Sequence, residues 1–164
     1  GRGLVLFLSP RSLPCTAPST QGHIKAAALT GSVYFWGQGV AVDYERAMAA
    51  YKIAAEAGDA LSQYQVGMMY CNGQLGVAVD YKQARAWLEK AAAQDYPTAV
   101  GNLGAMYFNG QGMTPSWRRA RELYERAIEL GNTRAVENMQ TLTQNIVNVM
   151  SSRKPPHTTP TPFA

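Results

Sequence analysis

Histidine, cysteine, early acidic residues and long apolar runs are all scarce in this chain. Its 164 residues contain two histidines, His23 and His157, and two cysteines, Cys15 and Cys71. A zinc site needs paired Cys or His ligands at close spacing, and a histidine-based triad needs its imidazole inside a fold. Here His23 stands at the edge of the helical region and His157 in the tail, so neither chemistry has its residues, and no metal or cofactor is expected. No G-x-S-x-G elbow and no glycine loop ending in GK[ST] occurs. Two isolated cysteines do not make a disulfide framework, which favours a reducing compartment. No apolar run approaches the roughly 20 residues of a membrane-crossing helix. LVLFL at Leu4–Leu8 is also shorter than a secretory core, although Arg2 before it and SLPCTA after it imitate one. The absence of any acid before Asp43, beside Arg and Ser, is the composition of an organelle transit peptide, on an arm that is short and proline-rich for that role. The expected location is intracellular, in the cytoplasm or an organelle interior such as a plastid or mitochondrion.

The formal charge is +4, and its distribution decides what it means. Lys and Arg balance Asp and Glu between residues 24 and 150, so Arg2, Arg11, Arg153 and Lys154 carry the excess. The folded part is therefore neutral, and the two arms are basic. Seven of the nine prolines lie in the same ends, where each removes a backbone donor and disfavours helix at the residue before it. Three regions follow: an extended basic arm over 1–23, a helical domain over 24–150, and a Pro/Thr-rich tail over 151–164.

What is present is a repeat. TGSVYFWGQGV from Thr30, VGMMYCNGQLGV from Val66 and LGAMYFNGQGM from Leu103 align at shifts of 36 and 37 residues. DYERAMAAYKIAAEAGDA, DYKQARAWLEKAAAQDYP and SWRRARELYERAIELGNT follow in the same register. Small or apolar residues recur at i, i+4, i+7 and i+8 in each second half, at Ala47, Tyr51, Ala54 and Ala55 and their equivalents, which is one helical stripe. Asp43, Asp80 and Ser116 stand where helix N-caps belong, and Gly58 and Gly131 stand where a left-handed C-terminal residue is wanted. Each repeat therefore reads as helix, loop, helix, turn. The GQLG stretch follows a helix and precedes the next N-cap by several residues, so it is a reversing connector and not a phosphate loop. Gly31, Gly67 and Gly104 fall in mid-helix at a cost of roughly 1 kcal/mol against alanine. Close approach of the partner helix, through its alanines, is the expected compensation. After Gly131 the pattern keeps a stripe at Ala135, Met139, Leu142 and Ile146, but Gln140 replaces the glycine, as in a terminal capping helix.

These motifs, with the DY-x-x-A helix start and the KAA or IAA helix end, resemble Sel1-like repeats, relatives of the tetratricopeptide repeats, over about residues 24–139. The resemblance implies an all-α fold: a right-handed superhelical solenoid of about three helix-turn-helix repeats with a C-terminal capping helix. It also implies an interaction scaffold, adaptor or assembly subunit without catalysis. The third copy departs from it with Ser116 and Trp117 in place of Asp and Tyr. The paired cysteines of some secreted members are missing.

If first helices line the concave side, the exposed positions there are Ser32, Phe35, Trp36, Tyr64, Met68, Cys71, Asn72, Ala105, Phe108 and Asn109. They mix aromatics, methionine and amides without charge, which suits a peptide or a partner helix. Packing between repeats is an equal reading for Phe35, Met68 and Phe108. The expected partners are proteins in a multi-subunit assembly, reached through this face and the basic arms, with no membrane span. Two other readings are weaker. A carboxylate-dependent hydrolase would need acids such as Glu122, Glu125 and Glu129, which alternate with Arg118, Arg121 and Arg126 as in a solvated, paired face. A nucleic-acid accessory protein would use the basic arms and the Arg118, Arg119, Arg121, Arg126 and Arg134 cluster, whose interleaved acids blunt its attraction for phosphates.

Overall fold

The computed structural model describes residues 18–152 apart from 74, 75 and 77. The LVLFL run, Cys15, His157 and the arm residues Arg2, Arg11, Arg153 and Lys154 lie outside them. Among the described residues there are seven helices and no strand: α1 (Pro18–Trp36), α2 (Tyr44–Glu56), α3 (Ala60–Asn72), α4 (Tyr81–Ala92), α5 (Pro97–Asn109), α6 (Trp117–Glu129) and α7 (Arg134–Ser152). The fold is an all-α helical repeat. Its contacts divide the chain into two compact units, Gly1–Val79 and Asp80–Ala164, with the division inside the second repeat.

The helix starts follow from side-chain oxygens. Asp43 accepts from the backbone N–H of Arg46 at 2.9 Å, Asp80 from Lys82 and Gln83 at 2.9 and 3.0 Å, and Ser116 from Arg119 at 3.3 Å. Asp59 does the same for α3, accepting from Ser62 at 2.8 Å. Each bond satisfies a donor that the first helical turn leaves without a partner. Tyr96 offers α5 no such oxygen, and Pro97 in the first turn has no N–H to satisfy. The same tolerance explains a departure from expectation at α1. That helix begins at Pro18, six residues before the boundary placed at 24, within a stretch read as extended. Proline disfavours helix at the residue before it and is well placed at a helix's own start.

In the first unit α1 and α3 both pack on α2. Tyr51 is 2% exposed, and its ring lies against α1 at Gly31: a Cβ added to Gly31 would stand 2.6 Å from Cδ1 of that ring. Gln63 ties α3 to α2, its buried amide donating to the carbonyl of Ala55 at 3.0 Å. The second unit repeats the device. A Cβ on Gly104 would stand 2.8 Å from Cδ1 and Cε1 of Tyr124, which is also 2% exposed. The close approach expected at the mid-helix glycines is present at Gly31 and Gly104, but a tyrosine ring makes it where alanine methyls were anticipated. Alanines line the remainder, with Ala92, Ala120, Ala127 and Ala135 in one buried cluster with Val100, Leu103, Tyr124 and Leu142. In α7, Ala135 and Leu142 are buried while Gln140 is exposed, so the glycine register carries a polar side chain where no ring seats.

The second helices end on a left-handed residue, with φ of 99° at Gly58 and 88° at Gly131. At the same register the middle repeat has Asp95 at φ 57°, a conformation costing an L-residue about 1–2 kcal/mol. Arg126 of α6 holds it, Nε donating to Asp95 Oδ1 at 3.1 Å and a terminal nitrogen donating to the Ala92 carbonyl at 3.2 Å.

Two measurements check this packing. Gly104→Ala gains helix propensity but drives a methyl into a ring that cannot move, so thermal unfolding should show a net loss of about 1–3 kcal/mol. Tyr124→Leu, which copies Leu88 at the same register of α4, should cost less in that background than in the parent. Additive effects would contradict the contact. Burial alone raises the Tyr124 phenol from 10.0 to about 12, and raises Tyr51 for the same reason. A raised folded-state value means that the neutral phenol is favoured in the fold. Stability is therefore complete below pH 10, the unfolded value, and is lost as pH rises through 12. The unfolding free energy from urea titrations should be flat up to the onset of that window and then fall by on the order of 2 kcal/mol for Tyr124, with Tyr51 adding to the fall. Tyr124→Phe should remove its share of the fall.

Candidate functional site

The ten first-helix positions separate by environment. In the first unit, Ser32 is half-buried and donates its hydroxyl back to the Leu29 carbonyl at 2.8 Å. Phe35 is half-buried in an edge-on aromatic group, with ring centroids 4.9 Å from Trp36, 5.4 Å from Tyr44 and 6.3 Å from Tyr51. Its packing role is thus within its own repeat. Trp36 is 64% exposed. Tyr64, Met68 and Cys71 are half-buried on α3, and Asn72 is exposed at its end. In the second unit, Phe108 packs against the α5–α6–α7 core cluster, Ala105 is half-buried and Asn109 is exposed. The structure thus leaves Trp36, Asn72 and Asn109 fully open and gives Phe35 and Phe108 intramolecular neighbours.

One open residue was missed from the sequence. Leu29 is 65% exposed, two turns before Trp36 on α1. Register was the available signal, because Leu29 and Trp36 align with Gln65 and Asn72 of α3 and with Asn102 and Asn109 of α5. A leucine read against two amides stands out once the helix face is known.

Charge is segregated between the helices. α3 and α5 carry no charged residue and α1 carries only Lys25, whereas α2 and α4 carry four each and α6 carries seven. On α6 the arginines are paired: Arg118 and Arg119 with Glu122 at 3.2 and 3.0 Å, Arg121 with Glu125 at 2.8 Å, and Arg126 with Asp95. A phosphate backbone would have to compete with these carboxylates. The hydrogen bond from Arg119 leads in holding Glu122 below the usual carboxylate range, with Arg118 adding to it. It stays ionised and is poorly suited to donating a proton. No group of three or more His, Cys, Asp or Glu able to hold a metal occurs among the described residues. None of the described helices is long and apolar enough to cross a membrane.

Tandem helices, with α1–α2 and α5–α6 each closed on a mid-helix glycine, define an all-α helical repeat protein. The Sel1 repeat family model matches residues 24–59, 60–96 and 97–132, which are the pairs α1–α2, α3–α4 and α5–α6, and the chain belongs to that family. A Sel1 repeat protein from Oxalobacter formigenes is similar in structure, with 32% identity and a TM-score of 0.68 over 76% of this chain and 49% of that one. c5321, a protective antigen of uropathogenic Escherichia coli displaying an SLR fold, has 35% identity and a TM-score of 0.68 over 82% of this chain and 27% of its own. This chain therefore spans about half of the first relative and about a quarter of the second. Helicobacter pylori cysteine rich protein B, at 19% identity and a TM-score of 0.58 over 76% of this chain and 98% of that one, shares the fold. Comparison with curated proteins gives no match. Repeats of this family generally mediate protein–protein interaction and are typically non-catalytic.

Burial raises the Cys71 thiol above its ordinary value, so little thiolate is present at neutral pH and nucleophilic reactivity is suppressed. In a Cys15→Ser background, alkylation of Cys71 by iodoacetamide at neutral pH, followed by intact mass, should run several-fold slower than that of a free thiol. Faster reaction would make Cys71 a candidate nucleophile.

Proposed function

We propose that this chain is a non-catalytic protein-interaction module, an accessory or assembly subunit of a larger complex, and that it binds partners through the exposed positions of its first helices and through its basic arms. The observation that carries the reading is the charge segregation. The second helices carry most of the charge, ion-paired along α6, whereas α3 and α5 present aromatic, methionine and amide side chains free of charge, the surface type that protein interfaces favour. Membership of a family of interaction repeats supports it, and the paired arginines of α6 weigh against a nucleic-acid role. An intracellular location belongs to the same proposal.

Photo-crosslinking separates the two helix sets. A benzoylphenylalanine placed at Trp36, Asn72 or Asn109 should capture discrete proteins in the native source. The same probe at Glu56, Lys82 or Arg118 on second helices should capture few. Equal capture from both sets, or capture from the second set alone, would reject the first-helix surface.

A further inference from the structure

Gly37, Gly73 and Gly110 close the three first helices in the left-handed conformation, with φ of 66°, 58° and 69°. The same register of α7 holds Ile146, and the helix runs on to Ser152, reaching 19 residues against 13 in α3 and α5. The chain therefore does not reverse where a second helix should begin. Residues 153–164 contain Pro155, Pro156, Pro160 and Pro162, which leave no proline-free run as long as a second helix. Among the described residues, α7 thus stands in a first-helix position without the helix that a first helix packs against.

The face left open has a pattern. In α5 the Gly104 register meets α6 through Tyr124. Its α7 equivalent, Gln140, belongs to a stripe of Val136, Gln140, Thr143, Val147 and Met150, spaced four, three, four and three residues apart. That alternation is the one a helix–helix seam requires. All five are exposed, Val136 at 40%, Val147 at 48% and Met150 at 70%. Ala135 and Leu142 occupy the neighbouring face, buried against α5 and α6, so the burial of α7 in its own unit leaves the stripe open.

We propose that this stripe is the interface of a symmetric dimer, in which α7 of one copy packs antiparallel on α7 of a second copy, in the place a second helix would take. The register selects self-pairing. Crossing at Thr143, the two copies bring Val136 opposite Met150 and Met139 opposite Val147, each contact occurring twice as two-fold symmetry requires. Thr143 meets its own copy at the axis, and because its hydroxyl already donates to the Met139 carbonyl at 2.9 Å, burial there strands no donor. Gln140 flanks the axis, where its amide can both donate and accept. A parallel pairing would align the two helix dipoles, whereas the antiparallel one opposes them. α7 carries no charged residue after Glu137, so a charged partner helix would find no counter-charge along the stripe. The stripe spans about 21 Å of helix. One helix pair of that length falls near the lower bound for a specific interface, about 1,000 Å², so the dimer belongs in the micromolar range.

Sedimentation velocity of the full chain over a dilution series tests the dimer. A monomer–dimer equilibrium should appear, with a dissociation constant that changes little with salt because the seam is uncharged. Val147→Glu and Met150→Glu should each weaken the dimer by about tenfold or more, since each buries a charge without a partner. Asn148→Glu, exposed on a different side of α7, should leave it unchanged, and all three variants should melt as the dilute parent does. Cysteine pairing in a Cys15→Ser, Cys71→Ala background reads the register. Under mild oxidation Thr143→Cys should give a disulfide-linked dimer and Val136→Cys should not, because its two copies lie about 21 Å apart. A monomer at every concentration up to millimolar, a dimer indifferent to both glutamates, or equal cross-linking at the two positions would overturn the proposal. So would a dimer that appears only with Phe163→Ser, which would make the chain's own tail the occupant. A monomer whose benzoylphenylalanine at Met150 captures other proteins would give the face to a foreign partner and overturn it too.

Discussion

The seating of a tyrosine ring on a bare stretch of helix backbone is the contact on which each closely paired repeat depends. Gly31 under Tyr51 and Gly104 under Tyr124 leave no space for a methyl. The glycine lets the two axes approach until the ring itself becomes the spacer, and the alanine stripe on either side then closes without large side chains. Glycine in mid-helix costs roughly 1 kcal/mol, while burying an aromatic ring removes enough apolar surface from water to outweigh it. The same contact explains why Gln140 marks the end of the pattern. A long polar side chain at that register refuses a ring, so α7 covers the pair before it and leaves its own glycine-equivalent face to solvent.

Once the helices are held this way, their ends carry the remaining specification. Oxygens from Asp43, Asp59, Asp80 and Ser116 start four helices, and left-handed residues reverse the chain after the second helices. Asp95 shows how far that rule stretches. It takes the position that glycine holds in the other two repeats, and Arg126 bonds both its carboxylate and the nearby Ala92 carbonyl. Charge on α6 is thereby used locally, to tie the third repeat to the end of the second, instead of being projected outward as a field.

The repeat, its helix boundaries and its caps were legible in the sequence because each depends on residues within a turn or two of one another. Period, Asp-before-stripe and Gly-after-stripe are local signals. What sequence missed was set by neighbours distant along the chain. Pro18 read as a breaker, and only the helix built beyond it shows that it occupies a first-turn position. The partner of the mid-helix glycines read as alanine, since the stripe contains both alanine and tyrosine and periodicity cannot say which one points at the axis. Phe35 and Trp36 are adjacent and equally aromatic, yet one packs against Tyr44 and Tyr51 and the other faces water. That difference is rotational position on α1, settled by where α2 lies. Leu29 was passed over for the same reason.

The segregation of charge limits how such a protein can recognise anything. Ion pairs among exposed side chains contribute little individually and are screened by salt, so the second helices gain solubility more than selectivity from theirs. Complementary charge chiefly accelerates encounter and rejects wrong partners. A first-helix surface without charge forgoes that steering, so association through it falls in the slower range set by orientation alone. Discrimination must then come from fit, from which apolar side chain fills a place and whether backbone groups meet an amide. For that the surface must be stiff, and the stiffness traces back to the glycine–tyrosine contacts: a helix pair locked at backbone distance holds its exposed face at a fixed rotation, and Trp36 is presented where it is because Tyr51 sits on Gly31.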